Sequence, residues 1–204
     1  MPSMVDIPSD PKKVRARLRG YERKLRPERG GFIDDGAGKR YFLVGLYLVL
    51  DDLDGAMESM RWFERTFPDD SRDEAQLLSW ALALHRAGHE EAAKERLRQC
   101  MLENRYVLPR LLGRTFDGLE VSKVEDGYKL MHLDHSIPVA FFDLWTDAEK
   151  AWAASLYDTR LWSGMRERAL DIERMLEDMP RSEERSMLCG ELAAMRYGRE
   201  ERRR

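Results

Sequence analysis

Residues 77–97 read LLSWALALHRAGHEEAAKERL, and this stretch decides the fold. Before Gly88, apolar residues recur at the three- and four-residue spacing of one helical face, at Leu77, Trp80, Ala81 and Leu84. A second helical pattern follows Gly88, with its apolar face at Ala93, Leu97 and Cys100. Because glycine tolerates the backbone of a tight reversal, residues 74–107 are predicted to form a hairpin of two antiparallel helices.

Residues 37–70, which begin at Ala37, follow nearly the same template. The pattern predicts a first helix over residues 39–50 with Leu43 and Tyr47 facing inward, a turn over 51–55, and a second helix over 56–66 before Pro68. Both hairpins carry small residues, Ala56 in the first and Ala81 and Ala93 in the second, where two helices can approach closely. Between the hairpins, Ser71 and Glu74 have the spacing of a capping box, which predicts the helix start there.

These two segments resemble the tetratricopeptide repeat, a helix–turn–helix unit of about 34 residues. The resemblance implies an all-α fold in which antiparallel helical hairpins stack into a short right-handed solenoid. A narrower similarity, to a group of small bacterial tetratricopeptide-like proteins, covers about residues 37–178. It is carried by residues 61–70 (RWFERTFPDD), 78–82 (LSWAL), 101–104 (MLEN), 111–113 (LLG) and 145–149 (WTDAE).

The resemblance also implies where a partner binds, because the first helix of each repeat lines the concave surface of such a stack. The residues projected onto this groove are Tyr41, Gly45, Leu48, Val49, Leu78, Leu82, His85 and Arg86. Some members of the family grip a terminal carboxylate with Lys, Asn and Arg here, but this chain has Tyr41, Phe42 and Gly45. The groove is therefore predicted to be apolar and to hold a peptide, a partner helix, or the N-terminal helix of this chain.

That N-terminal helix is predicted over residues 10–27, after a disordered segment 1–9. Asp10 followed by Pro11 is a typical helix start. An apolar stripe runs along the helix at Val14, Leu18, Tyr21 and Leu25. Its exterior is strongly basic, with Lys12, Lys13, Arg15, Arg19 and Arg23 as candidate binding residues.

The rest of a single repeat domain, residues 10–198, is less regular. Residues 114–144 form an irregular segment, in which Asp126-Gly127 between apolar residues predicts a short β-hairpin or structured loop near 119–131. Capping helices follow over 146–198, with starts predicted at Thr146, Gly164 and Ser182, and residues 199–204 form a basic tail.

Charge is distributed unevenly along the 204 residues. Residues 1–40 hold 11 Lys/Arg and 6 Asp/Glu, whereas residues 41–195 hold 19 Lys/Arg and 30 Asp/Glu. An acidic body with basic ends suits either internal pairing or a polyanionic partner.

The sequence also predicts the compartment. Residues 1–10 have no apolar export segment, and the longest apolar run, residues 41–50, is about half of a membrane span. Cys100 and Cys189 both read as small core residues of a reducing compartment. The expected location is the cytoplasm.

Candidate catalytic groups are few. His85 and His89 are four residues apart, but Gly88 places a turn between them, and zinc needs four converging ligands. His132, Asp134 and His135 form the best lead to an enzyme, because alternate residues of a strand project together. Residues 36–39 (GAGK) lack the spacing of a phosphate-binding loop. No cofactor is predicted.

Three functional hypotheses follow. The leading one is a non-enzymatic module that binds a protein or peptide partner in the groove. The second is association with nucleic acid or another polyanion through the basic helix, against which stands the lack of an aromatic residue outside its apolar stripe. The third is a metal-assisted enzyme built around His132, Asp134 and His135.

Overall fold

The computed structural model describes residues 6–26, 32–36, 38–115, 129–130, 133 and 136–198. Across these ranges the regular structure is entirely helical, so the all-α prediction is confirmed for the described part of the chain. Two compact units are formed, one by residues 1–96 with 134–146 and the other by residues 97–133 with 147–204.

The first unit contains α1 (Pro11–Leu25), a 3₁₀ turn (Lys39–Phe42), α2 (Leu43–Val49), α3 (Leu53–Thr66) and α4 (Glu74–Arg86). Helix α5 (Glu90–Glu103) contributes residues to both units, and α7 (Val139–Asp143) belongs to the first. The second unit contains α6 (Val107–Leu111), α8 (Asp147–Tyr157), α9 (Arg160–Glu177) and α10 (Glu183–Tyr197). No described helix is both long and apolar enough to cross a lipid bilayer.

Local sequence signals account for most helix ends. The carboxylate of Asp10 accepts a hydrogen bond from the backbone N–H of Lys12 at 2.8 Å, which confirms the predicted start of α1. Asp52 caps α3 through the N–H of Gly55 at 2.8 Å. Gly88 reverses the chain between α4 and α5 with a φ of 76°, a left-handed conformation that favours glycine.

Two predicted helix starts are wrong. Helix α4 is capped by Asp73, whose carboxylate accepts from the N–H of Ala75 at 2.8 Å, and not by a box that begins at Ser71. The extended backbone of Asp73 places its carboxylate over the free N–H groups, so the helix begins at the next residue. Helix α9 begins at Arg160, capped by Thr159, and Gly164 lies inside it with open space where a side chain would be.

Other expectations also need correction or fall outside the description. Cys189 is exposed, whereas Cys100 is buried, so only Cys100 is a core residue as predicted. The predicted first helix of residues 39–50 is a 3₁₀ turn followed by the shorter α2. Residues 1–5, Ala37, most of the predicted β-hairpin and the tail 199–204 lie outside the described residues, and residues 129–130 are helical.

The core of the first unit is built around α2. Val14, Leu18 and Leu25 of α1 pack with Leu43 and Leu46 in one buried cluster. Helix α2 also contacts α3, α4 and α7. The hydroxyl of Tyr47 donates to a carboxylate oxygen of Glu22 at 2.5 Å and adds a polar tie between α1 and α2. The N-terminal helix is therefore docked through its apolar stripe, as its sequence pattern predicted.

In the second unit, α9 packs against α10, and α6 packs against α8. Ala153 and Ile172 are fully buried. The connection between α9 and α10 is closed by Arg185, which donates to the carbonyl oxygens of Leu176 and Met179 at 2.6 and 2.7 Å.

Candidate functional site

The cationic face of α1 consists of Lys12, Lys13, Arg15, Arg19 and Arg23, all exposed. Lys12, Arg15, Arg19 and Arg23 follow one another at intervals of three or four residues, a spacing that aligns side chains along one side of a helix. At about 1.5 Å per residue the row is about 16 Å long. The buried stripe on the opposite side holds this face toward solvent.

The five side chains of the cationic face form no ion pair or hydrogen bond with any residue in the described ranges. Neighbouring cations in α1 and at its C-terminal cap do have partners. Lys24 pairs with Asp34 at 3.5 Å, Arg17 donates to the carbonyl of Asp6 at 2.5 Å, and Arg26 lies 4.7 Å from the centre of the Trp62 ring. Positive charge on the cationic face is therefore not neutralised within the described part of the first unit.

The residues predicted to line a concave groove are largely buried in the structure. Leu48, Leu78 and Leu82 are buried, with Leu78 and Leu82 fully so. Val49 packs against the cluster that joins α1 to α2. In this conformation Leu48, Leu78 and Leu82 are not available to a partner, and Val49 is half-buried.

A later segment of the same chain contacts two other residues of the predicted groove, Gly45 and Arg86. The ring of Phe141, from α7, lies directly against Gly45 of α2 and 6.3 Å from the ring of Phe42. Arg86 donates from Nη2 to the carbonyl oxygen of Leu144 at 2.7 Å, immediately after α7. Of the residues predicted to line the groove, Gly45 is thus covered by α7 and Arg86 is bound just after it, whereas the sequence pointed to α1 as the internal occupant.

Tyr41 takes part in a polar cluster. Its hydroxyl donates to Asp70 at 3.0 Å, and Arg40 donates from Nη2 to Asp70 at 2.6 Å and to the Tyr41 oxygen at 2.7 Å. The Arg40 guanidinium also lies over the rings of Tyr41 and Phe67, at 4.4 and 4.9 Å. Tyr41 therefore fastens the start of the first hairpin to its end.

Burial and the hydrogen bond to Asp70 raise the pKa of Tyr41 from 10 to about 12. The unfolded chain loses this phenol proton near pH 10 while the folded protein still holds it. Stability from Tyr41 is therefore complete below pH 10 and is lost as the pH rises to about 12. We expect the difference in unfolding free energy between the wild type and Tyr41→Phe, measured by urea titration, to shrink across this range. A constant difference would contradict the assigned bond.

Of the two histidine clusters singled out in the sequence, the structure describes only His85 and His89. His85 lies 3.1 Å through Nδ1 from a carboxylate oxygen of Glu90, across the turn at Gly88, and His89 is exposed. Within the described ranges, no three or more His, Cys, Asp or Glu side chains converge as a metal site would require. His132, Asp134 and His135 lie outside those ranges, so the metal-assisted enzyme stays a prediction.

One cluster was not predicted from the sequence at all. In the second unit, Glu173 accepts hydrogen bonds from Lys129 at 2.9 Å and from Arg196 at 2.7 Å, and it also pairs with Arg105. These cations come from 23 to 68 residues away along the chain. No local spacing signals such a cluster, although Glu173 and Arg166 at an i, i+7 interval do mark one charged side of α9.

No protein-family model, curated protein or solved structure matches this chain.

Proposed function

We propose that this protein is a non-enzymatic interaction module that binds an acidic segment of a partner protein through the cationic face of α1. The observation that carries this proposal is the cationic face of five exposed side chains, four of them in one row, without a partner among the described residues. Such a row attracts an anionic partner and favours its binding along the whole length of the row. We expect the protein to act in the cytoplasm.

The groove predicted from the sequence is a poorer candidate for the binding surface than the cationic face of α1. Leu48, Leu78 and Leu82 are buried, and Gly45 lies under the ring of Phe141 from α7, so a partner could reach these residues only after a rearrangement of the first unit. The cationic face needs no rearrangement, because its side chains already point to solvent. For this reason the proposed binding surface is α1 and not the concave side.

We further infer that α2–α3 and α4–α5 are tetratricopeptide-like hairpins of a short right-handed solenoid. Support comes from Ala56 and Ala81, which are fully buried, and from the packing of α2 against both α3 and α4. Ala93 on α5 is also fully buried. Small buried residues at these positions let helices approach closely, as paired helices of this repeat do.

Binding of nucleic acid is the second candidate, and the same row of cations favours it, because phosphate contacts come mainly from Lys and Arg. Two features weigh against it. The face carries no aromatic side chain on which bases could stack. Residues 41–195 are also net acidic, which repels a polyanion much longer than the row of about 16 Å.

The test is a fluorescence anisotropy titration with two probes, a labelled oligoglutamate peptide and a labelled single-stranded oligonucleotide. The triple variant Lys12→Gln/Arg15→Gln/Arg19→Gln is expected to bind oligoglutamate about tenfold more weakly. Three exposed contacts of about 0.5 kcal/mol each give about 1.5 kcal/mol, which is roughly a factor of ten. Binding by the wild type should also weaken as salt is added.

A matched control removes the same charge from paired cations. The variant Lys94→Gln/Arg168→Gln/Arg174→Gln alters residues whose described carboxylate partners lie within 4 Å, and it is expected to bind like the wild type. Equal losses in both triple variants, or binding that salt leaves unchanged, would refute the proposed surface. Tighter binding of the oligonucleotide than of oligoglutamate would favour the second candidate.

A further inference from the structure

The second unit contains a cavity of about 330 Å³. Part of its wall is apolar, formed by Met101, Leu102, Pro109, Tyr157, Ala169 and Leu170. Cations from three separate stretches of the chain also line it, namely Arg105, Arg114, Lys129 and Arg166. The volume lies in the range typical of small-molecule sites, which are mostly apolar with a few placed polar groups.

Arg166 is the most distinctive group in this wall. Its guanidinium lies 3.8 Å from the centre of the Tyr157 ring, and its Nη1 donates to the carbonyl oxygen of Tyr157 at 2.7 Å. These contacts hold a half-buried cation in one orientation. Among the described residues no carboxylate pairs with Arg166, and its other N–H groups leave donors for a planar anion.

The remaining charges reinforce the positive character of the cavity. Arg114 is held by Asp158 through two hydrogen bonds, of 2.6 and 2.7 Å. Glu173 is shared by Arg105, Lys129 and Arg196. Glu167, the other acidic residue of the wall, accepts a hydrogen bond from Ser163 at 2.9 Å. The described wall therefore carries two more cations than carboxylates.

We propose that this cavity binds a small organic carboxylate with an apolar body. The carboxylate pairs with the guanidinium of Arg166, and the apolar body lies along the side of the cavity formed by Met101, Pro109 and Leu170. The described residues supply no carboxylate to Arg166, so a neutral ligand would leave its guanidinium without a counter-charge from them, whereas a carboxylate ligand provides one. This site lies within the second unit and is independent of the cationic face of α1.

Isothermal titration calorimetry with two isosteric probes tests the proposal. Naphthalene-2-carboxylate carries the proposed charge, and naphthalene-2-carboxamide has the same ring system without it. We expect saturable binding of the carboxylate, at least about tenfold tighter than that of the amide, because a charge-assisted hydrogen bond contributes about 1.5 kcal/mol or more. No saturable binding of the carboxylate up to its solubility limit, or equal affinities, would overturn the proposal.

Two variants on α9 locate the site. Arg166→Gln is expected to weaken carboxylate binding about tenfold and to leave amide binding unchanged. Arg168→Gln is the matched control, because Arg168 lies two residues away, is exposed and pairs with Glu191 at 2.8 Å; it should bind the carboxylate like the wild type. The proposal is also wrong if the two variants lose the same affinity.

Circular dichroism shows whether Arg166→Gln is folded. If it is not, Arg166→Lys replaces it, since lysine keeps the charge but loses the planar fork. This variant should still prefer the carboxylate to the amide, by a smaller factor than the wild type. A variant in which the preference is unchanged, or increased, would show that the Arg166 guanidinium is not the anchor.

Discussion

Replacing Trp80 by alanine is expected to lower the free energy of unfolding by about 3–5 kcal/mol, as deletion of a fully buried tryptophan side chain generally does. The indole is completely inaccessible to solvent. It meets the ring of Phe63 edge to face at 5.5 Å, and the guanidinium groups of Arg72 and Arg96 each lie 5.3 Å from its centre. The variant therefore loses apolar burial, an aromatic pair and two cation–π contacts together.

Urea unfolding followed by circular dichroism measures this effect, with two comparison variants. Trp80→Phe keeps an aromatic ring and removes the indole N–H, which is buried and has no hydrogen-bond partner in the described part of the chain, so it should cost clearly less than Trp80→Ala. Leu161→Ala shortens a side chain that is 66% exposed and should change stability by about 0.5 kcal/mol or less. If Trp80→Ala lowered the free energy of unfolding no more than Leu161→Ala does, the assigned burial and ring contacts of Trp80 would be contradicted.

Adding one methyl group at Gly45 is expected to destabilise the protein by about 2–3 kcal/mol. A Cβ atom there would overlap the ring of Phe141, which packs on the backbone of α2 at this position. Because Phe141 is itself fully buried among neighbouring side chains, its ring has little room to move aside. Thermal or urea unfolding of Gly45→Ala measures the cost.

The same substitution at Gly20 is the matched control. Gly20 lies within α1, and a Cβ atom there meets nothing within 4 Å. Gly20→Ala should therefore stabilise the protein by about 0.5–1 kcal/mol through helix propensity. Phe141→Leu combined with Gly45→Ala should recover part of the loss, since the smaller side chain leaves room for the methyl group. Additive effects of these two changes would show that Phe141 does not cover Gly45.

Much of the helical structure could be predicted from local patterns. Asp10 and Pro11 start α1, Val14 and Leu18 supply its buried stripe, and Gly88 provides the turn after α4. Each signal acts within one turn of helix, through a cap, a repeat of about 3.6 residues, or a backbone angle. Where two local signals compete, as Ser71 and Asp73 do before α4, the pattern alone does not choose between them.

The candidate binding surface was predicted only in part. The cations of α1 are exposed as the alternation with its apolar stripe requires, because a stripe that packs on α2 turns the opposite face outward. The groove residues were chosen by resemblance, which carries no information about what covers them. Phe141 lies 96 positions after Gly45, and nothing in the periodicity of α2 indicates that its ring rests there.

By itself, the sequence determined that α1, α3, α4 and α5 are helical and which side of α1 carries the charge, because both depend on neighbours three or four residues apart. It did not indicate the short helices α6 and α7. Only the tertiary structure decided that the Phe141 ring of α7 covers Gly45 and that Arg166 and Tyr157 form one wall of a cavity. These contacts depend on side-chain volume and charge brought together from distant parts of the chain, and packing selects them only when the whole unit has formed.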